Sequence, residues 1–119
     1  MKCPYGFFET KIFHWSDQKI FEKTYTKWLD YDKIKYDISV RTRRTGDYLI
    51  VNGAGQRKKI TRCMIDEKIP RESRDRFPLA AVGSEILWMV GGRINERYKI
   101  TSETKNVLEI KYQGGKCNE

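Results

Sequence analysis

The chain has 119 residues, 39% of them hydrophobic and 13% aromatic, the size and composition of one globular domain. No apolar run approaches the ~20 residues that cross a bilayer, and Met1-Lys2-Cys3-Pro4 is not followed by the apolar stretch of a secretory signal, so a cytoplasmic location is expected. Lys and Arg outnumber Asp and Glu by 24 to 16, a net charge of +8; eleven of the basic and six of the acidic residues lie within 37–78, and that concentration of one sign points to a polyanionic partner.

In chain order, Phe7 to Trp15 is aromatic and β-branched and reads as a strand. Ser16 to Lys23 is a polar connection, Tyr25 to Leu29 a second strand, and Tyr31-Asp32-Lys33-Ile34 a short turn. Ile38 to Arg44 alternates, which predicts a half-buried strand with Arg41 and Arg43 on its wet face. After Thr45-Gly46-Asp47 comes a short strand, Tyr48 to Val51, and a turn, Asn52-Gly53-Ala54-Gly55. Lys58 to Lys68 is the best helix, with Ile60, Cys63 and Met64 on one face and Lys58 and Arg62 on the other; Ile65 falls near the basic side and fits the wheel badly. Pro70 to Arg76 is a further turn in which Glu72 precedes Arg76 by four residues, the favourable order for an ion pair. Glu85 to Val90 is nearly all apolar and reads as a strand covered on both faces; Gly91-Gly92 ends it. Arg93 to Lys99 stays ambiguous, and Val107 to Tyr112 is the last strand, with Leu108, Ile110 and Tyr112 inward. These elements predict an α+β fold with Ile38, Val40, Ile60, Met64, Ile86, Trp88, Leu108 and Ile110 in one core.

Four constellations could carry chemistry. Asn52 to Lys59 is a Gly-containing turn running into a basic helix start, where free N–H groups and the helix dipole favour an anion; an ordinary hairpin turn is the alternative. Arg41 to Asp47 could lie along a phosphate backbone, or could be an edge strand guarded by charge. Asp47, Asp66 and Lys68 have the residue types of a metal-dependent nuclease, but a short match of that kind arises often by chance. The fourth is an absence: the chain has no adenylating Ser-Gly-Gly-x-Asp-Ser loop, dinucleotide loop or zinc ligand set. Cysteines 3, 63 and 117 form no metal spacing, Cys63 is most simply a buried hydrophobe, and His14 lacks a marked partner. No metal or catalytic residue is expected.

The sequence resembles the C-terminal domain of bacterial tRNA(Ile)-lysidine synthetases. The resemblance rests on Arg41-Thr42-Arg43-Arg44-Thr45-Gly46-Asp47, on Lys58-Lys59-Ile60, on Ile65 through Leu79 with its Lys68-Ile69-Pro70-Arg71 and Arg74-Asp75-Arg76 strings, and on Ile86 through Arg97, ending at Thr101 to Leu108. Residues 1–37 match loosely. The family usually has Pro where Thr45 stands, and paired glycines near Ala54-Gly55.

The resemblance implies an α+β fold, an unusual β-sandwich with one main helix similar to a domain of the phenylalanyl-tRNA synthetase β subunit. It implies one domain over 1–119: N-terminal strands and connection in 1–37, the lysidine-synthetase-like core in 38–112 and a tail in 113–119. It further implies a tRNA-binding part of an ATP-dependent ligase. A separate N-terminal domain of that enzyme uses ATP and lysine to convert the wobble cytidine of an isoleucine tRNA to lysidine, while this domain, an excised or truncated piece without a cofactor of its own, holds the tRNA.

The expected RNA-binding residues are Arg41, Arg43, Arg44, Arg57, Lys58, Lys59 and Arg62, on one continuous basic face; Arg71, Arg74 and Asp75 form a structural turn. The expected partners are tRNA and the enzyme's own N-terminal catalytic domain. The alternatives are an interaction domain that docks on that catalytic domain or forms a homodimer, using Trp28, Trp88 and an apolar patch, and, ranked lower, the nuclease.

Overall fold

A computed structural model describes residues 2–3, 6–15 and 25–113. Its strands, in chain order, are β1 (Lys2–Cys3), β2 (Gly6–His14), β3 (Thr26–Asp30), β4 (Ser39–Arg41), β5 (Tyr48–Ile50), β6 (Arg57–Lys59), β7 (Leu79–Val82), β8 (Glu85–Met89) and β9 (Asn106–Gln113), with one α-helix, α1 (Ile60–Asp66). Single 3₁₀ segments occupy Tyr31–Lys33, Arg71–Arg76 and Glu96–Tyr98. The architecture is α+β, with one main helix. The expected 16–23 connection, and the expected 113–119 tail apart from Gln113, lie outside the described residues. No helix among the described residues is long and apolar enough to cross a membrane.

The chain divides into two compact units, Met1–Lys35 with Tyr98–Glu119, and Tyr36–Arg97. The first unit is built on an antiparallel sheet of order β1-β2-β9-β3. Opposed residues share a sheet face, so Phe8 with Tyr112, and Ile12 and Leu29 with Leu108, lie together; Phe8, Leu29, Leu108 and Ile110 are buried. On the other face Phe13 meets Trp28 edge-on at 4.8 Å, and Trp28 Nε1 donates to Glu109 Oε2 at 2.9 Å. Two carboxylates tie the turn after β3 to the start of β9. Asp30 accepts from Thr104 Oγ1 at 3.0 Å. Asp32 accepts from the backbone N–H groups of Lys105 at 2.7 Å and Asn106 at 3.3 Å, and from Asn106 Nδ2 at 3.1 Å.

The second unit holds a mixed sheet of order β4-β7-β8-β5-β6, antiparallel except where β5 runs beside β8. Helix α1 buries Ile60, Cys63 and Met64 in a cluster with Leu49, Leu79, Ala81, Ile86 and Met89. The register of β7 against β8 shifts between Ala80 and Ala81. All five residues of β8 are buried, as expected of a strand covered on both faces. Its buried Glu85 meets Asn95 Nδ2 at 3.2 Å, and the same nitrogen donates to Ile86 O at 2.8 Å, which satisfies polar groups that would otherwise be costly to bury.

Three local expectations are corrected. The helix begins at Ile60 rather than Lys58, because Arg57, Lys58 and Lys59 pair with Ile50, Leu49 and Tyr48 as an edge strand. The strand expected over Ile38 to Arg44 is confined to Ser39–Arg41, since only these residues find a partner on β7. Of the residues expected in the core, Leu108 and Ile110 are buried on β9 of the first unit, Ile60, Met64 and Ile86 in the cluster of the second and Trp88 on β8, whereas Ile38 and Val40 are only half-buried.

Candidate nucleic-acid interface

The basic residues singled out by sequence all lie in the Tyr36–Arg97 unit, but they stand in different environments. Arg41 is not on a wet face. Its side chain is 10% exposed and that of Asp47 1%. Nη1 donates to Asp47 Oδ2 at 2.8 Å, Nη2 to Asp47 Oδ1 at 2.9 Å, and Nη2 also to Gly83 O at 2.7 Å. The backbone N–H of Arg44 adds a third bond to Asp47, 2.7 Å long. A buried carboxylate needs such partners, and Asp47 draws Arg41 inward against the simple alternation of the strand.

Arg43 Nε donates to Asp75 Oδ1 at 2.9 Å; the arginine is partly buried and the aspartate 81% exposed. Asp75 thus pairs across the unit rather than within its own turn. Arg74 does act locally, with Nε donating to Ile69 O at 3.0 Å. Arg71 is exposed. The expected Glu72–Arg76 pairing takes another form: Arg76 Nη2 reaches the backbone carbonyl of Glu72 at 3.5 Å.

Lys58 lies on the same sheet face as Leu49 and pairs with Asp66 at the far end of α1. That bond, more than any other influence, holds the Asp66 carboxyl below the usual carboxylate range, with the charges of Arg62 and Arg93 adding to it. Arg93, which the sequence left in an ambiguous stretch, therefore belongs to this side of the unit; no spacing signal joined it to α1. Its charge also acts on Cys63, whose thiol is nevertheless pushed up by burial.

Arg44, Arg57, Lys59 and Arg62 are exposed. Arg57 lies over the Tyr48 ring, 4.3 Å from its centroid. Helix α1 has Lys59 at its N-cap and no acidic residue in its first turn. With Arg57 and Lys58 in a strand, the expected anion site at a basic helix start does not form.

β4 and β6 are opposite edges of the sheet, so the two basic stretches do not run side by side as expected. They meet at Asp47. Its carboxylate fixes Arg41 and the Arg44 backbone, while its carbonyl accepts the N–H of Ile60 at 3.0 Å, next to Lys59. The loop carrying Arg44 and the strand–helix junction carrying Lys59 and Arg62 are thereby anchored to one residue.

The nuclease constellation is not assembled. Both Asp47 oxygens are occupied by Arg41 and the Arg44 N–H, and Asp66 is engaged by Lys58. Among the described residues no three His, Cys, Asp or Glu side chains are grouped to hold a metal ion.

Residues 38–111 match the family model described as the TilS substrate C-terminal domain. The chain belongs to this family. Similar curated proteins include the tRNA(Ile)-lysidine synthase of Caldanaerobacter subterraneus subsp. tengcongensis, 49% identical over 88 residues, which are 74% of this chain and 19% of that protein. That of Clostridium tetani is 46% identical over 95 residues, 80% of this chain and 20% of that protein. The chain thus spans about a fifth of the length of the curated relatives it matches. A solved structure described as the crystal structure of the TilS C-terminal domain superposes with a TM-score of 0.73 at 26% identity, covering 93% of this chain and 86% of that one. The TilS-type fold therefore extends over nearly the whole chain, including the loosely matching N-terminal strands.

Proposed function

We propose that this chain is the tRNA-binding C-terminal domain of a tRNA(Ile)-lysidine synthase. In this reading it positions the tRNA in the cytoplasm while an N-terminal catalytic domain of the same enzyme uses ATP and lysine to convert the wobble cytidine to lysidine. The observation that carries the proposal is the group of exposed cations Arg44, Arg57, Lys59 and Arg62 around the Asp47 anchor, in a member of this family. Arg43 and Lys58 contribute less, since each already has a carboxylate partner, and Arg41 acts as scaffold.

Phosphate contacts fix the orientation of a nucleic acid without reading its sequence. Affinity of the isolated chain for tRNA should therefore be modest and strongly dependent on salt. With about four phosphates neutralised, the log–log slope should be roughly −3 to −4. A tRNA titration at several salt concentrations tests this; a flat salt dependence or absence of binding rejects it. The chain alone, without cofactor, is proposed to be inactive, and pyrophosphate release from ATP in the presence of lysine and tRNA would contradict that.

A second reading, docking on the catalytic domain or on another copy, has one observation in its favour. Ile65 projects from α1 at 47% exposure beside the basic side. If Ile65→Asp abolishes association with the catalytic domain while tRNA binding is intact, docking is the main role of this surface.

A further inference from the structure

Arg57 is held differently from the other exposed cations. In the β5–β6 pairing Tyr48 opposes Lys59 and Ile50 opposes Arg57, so these four residues share one face, and Leu49 and Lys58 the other. On that shared face the Arg57 guanidinium sits over the Tyr48 ring. The turn leading into Arg57 is braced. Asn52 Oδ1 accepts from the N–H groups of Ala54 at 3.0 Å and Gln56 at 3.3 Å, Asn52 Nδ2 donates to Gln56 Oε1 at 2.9 Å, and Val51 N–H donates to Gln56 O at 3.0 Å. Around the turn there is open space: a Cβ at Gly53 or Gly55 would meet nothing within 4 Å.

A phosphate needs only a positive charge with donors, and Lys59 and Arg62 supply that. A planar guanidinium anchored on an aromatic ring offers something else, a flat, cationic, solvent-facing surface of the kind on which nucleobases stack. A continuous duplex hides its base faces, so the matching ligand is an unpaired nucleotide. We propose that Arg57, supported by Tyr48, is a stacking subsite for one unpaired nucleobase, with Lys59 beside it taking the phosphate of the same strand. The proposal rests on the reading that this chain binds tRNA and adds what part of an RNA this edge of the sheet selects.

The test uses the whole chain and three RNA hairpins with the same stem: one blunt, one with a four-adenosine 3′ tail, and one with a four-nucleotide abasic tail. The last two carry equal phosphate and differ only in bases. The wild-type chain is expected to bind the adenosine tail about five- to fiftyfold more tightly than the abasic tail, and to quench 2-aminopurine placed in the tail. Arg57→Lys keeps the charge but removes the planar fork; it should bring the two tailed hairpins to within about twofold of each other and abolish the quenching, with the salt slope kept. Lys59→Gln should weaken both tailed hairpins equally and lower the slope by about one. Equal wild-type binding of the two tails, or a preference that survives Arg57→Lys, overturns the stacking subsite while RNA binding stands. Failure of all three hairpins and of tRNA to bind removes the underlying reading itself.

Discussion

Arg41 grips Asp47 through two parallel hydrogen bonds, and the pair is nearly closed to solvent. Removing one partner of a buried ion pair leaves an uncompensated charge, at a cost of about 3 kcal/mol or more. Asp47→Ala and Arg41→Ala are each expected to lower stability by about that amount, and the double variant by less than the sum. Urea denaturation gives the values. Fully additive losses would mean that the two side chains act independently.

Lys58 and Asp66 form the opposite kind of pair, half-open to water. Such pairs add little to stability, but this one neutralises a cation beside Lys59 and Arg62. Asp66→Asn should leave the urea midpoint nearly unchanged, release Lys58, tighten tRNA binding and steepen its salt dependence. Lys58→Ala should reduce the slope by less than Lys59→Ala does. Weaker binding by Asp66→Asn would show that Asp66 itself supports the RNA-binding surface.

Acid should loosen the first unit through Asp32. Its carboxyl is held below the usual carboxylate range, chiefly by the Lys105 backbone N–H and then by the Asn106 side chain. The folded-state pKa lies below the unfolded one, so the unfolded chain takes up the proton first as pH falls. The stabilisation is complete above the ordinary Asp pKa of about 4 and is lost as pH falls through the depressed value. Melting temperature plotted from pH 6 to pH 2.5 should drop more steeply for the wild type than for Asp32→Asn. Parallel curves would remove Asp32 from the acid transition.

Lys68, the residue after the Glu67 C-cap of α1, has φ of 60°, a left-handed conformation that favours glycine. The next N–H, of Ile69, returns to Met64 O at 3.0 Å, so the conformation is needed to close the helix. Lys68→Gly should raise stability by roughly 0.5–1 kcal/mol, visible as a higher urea midpoint. A decrease would mean that the lysine side chain makes a compensating contact.

Much of the fold is legible in the sequence, for identifiable reasons. β2, β5, β8 and β9 announce themselves through alternation or unbroken apolar runs, and Ile60, Cys63 and Met64 give α1 by their spacing. β7 is not legible: Leu79-Ala80-Ala81-Val82 has two alanines and is a strand because β4 and β8 flank it. Sequence sets the start of α1 two residues early because lysines tolerate helix well, whereas pairing with β5 decides the state of Lys58 and Lys59. The inward turn of Arg41 escapes the sequence for the same reason. Alternation assigns a side to each residue of a strand but cannot locate a buried carboxylate six residues away, and Asp47 outweighs the pattern. Ile65, the residue that fits the helical wheel badly, is indeed exposed.

The first unit is assembled from two stretches of chain, with Tyr36–Arg97 between them. Its central strand β9 pairs with β2 and β3, which precede the entire second unit. On the ribosome, Tyr36–Arg97 can therefore be complete before β9 has emerged, while β2 and β3 still lack the strand that joins them. Closing so long a loop is entropically costly and slow. Refolding should accordingly proceed in two stages, with pulsed hydrogen exchange protecting Leu49 and Ile86 before Leu108 and Ile110. The basic surface would then be formed during synthesis ahead of the β1-β2-β9-β3 sheet, and a nascent chain stalled once Arg97 has cleared the ribosome should already be able to hold RNA.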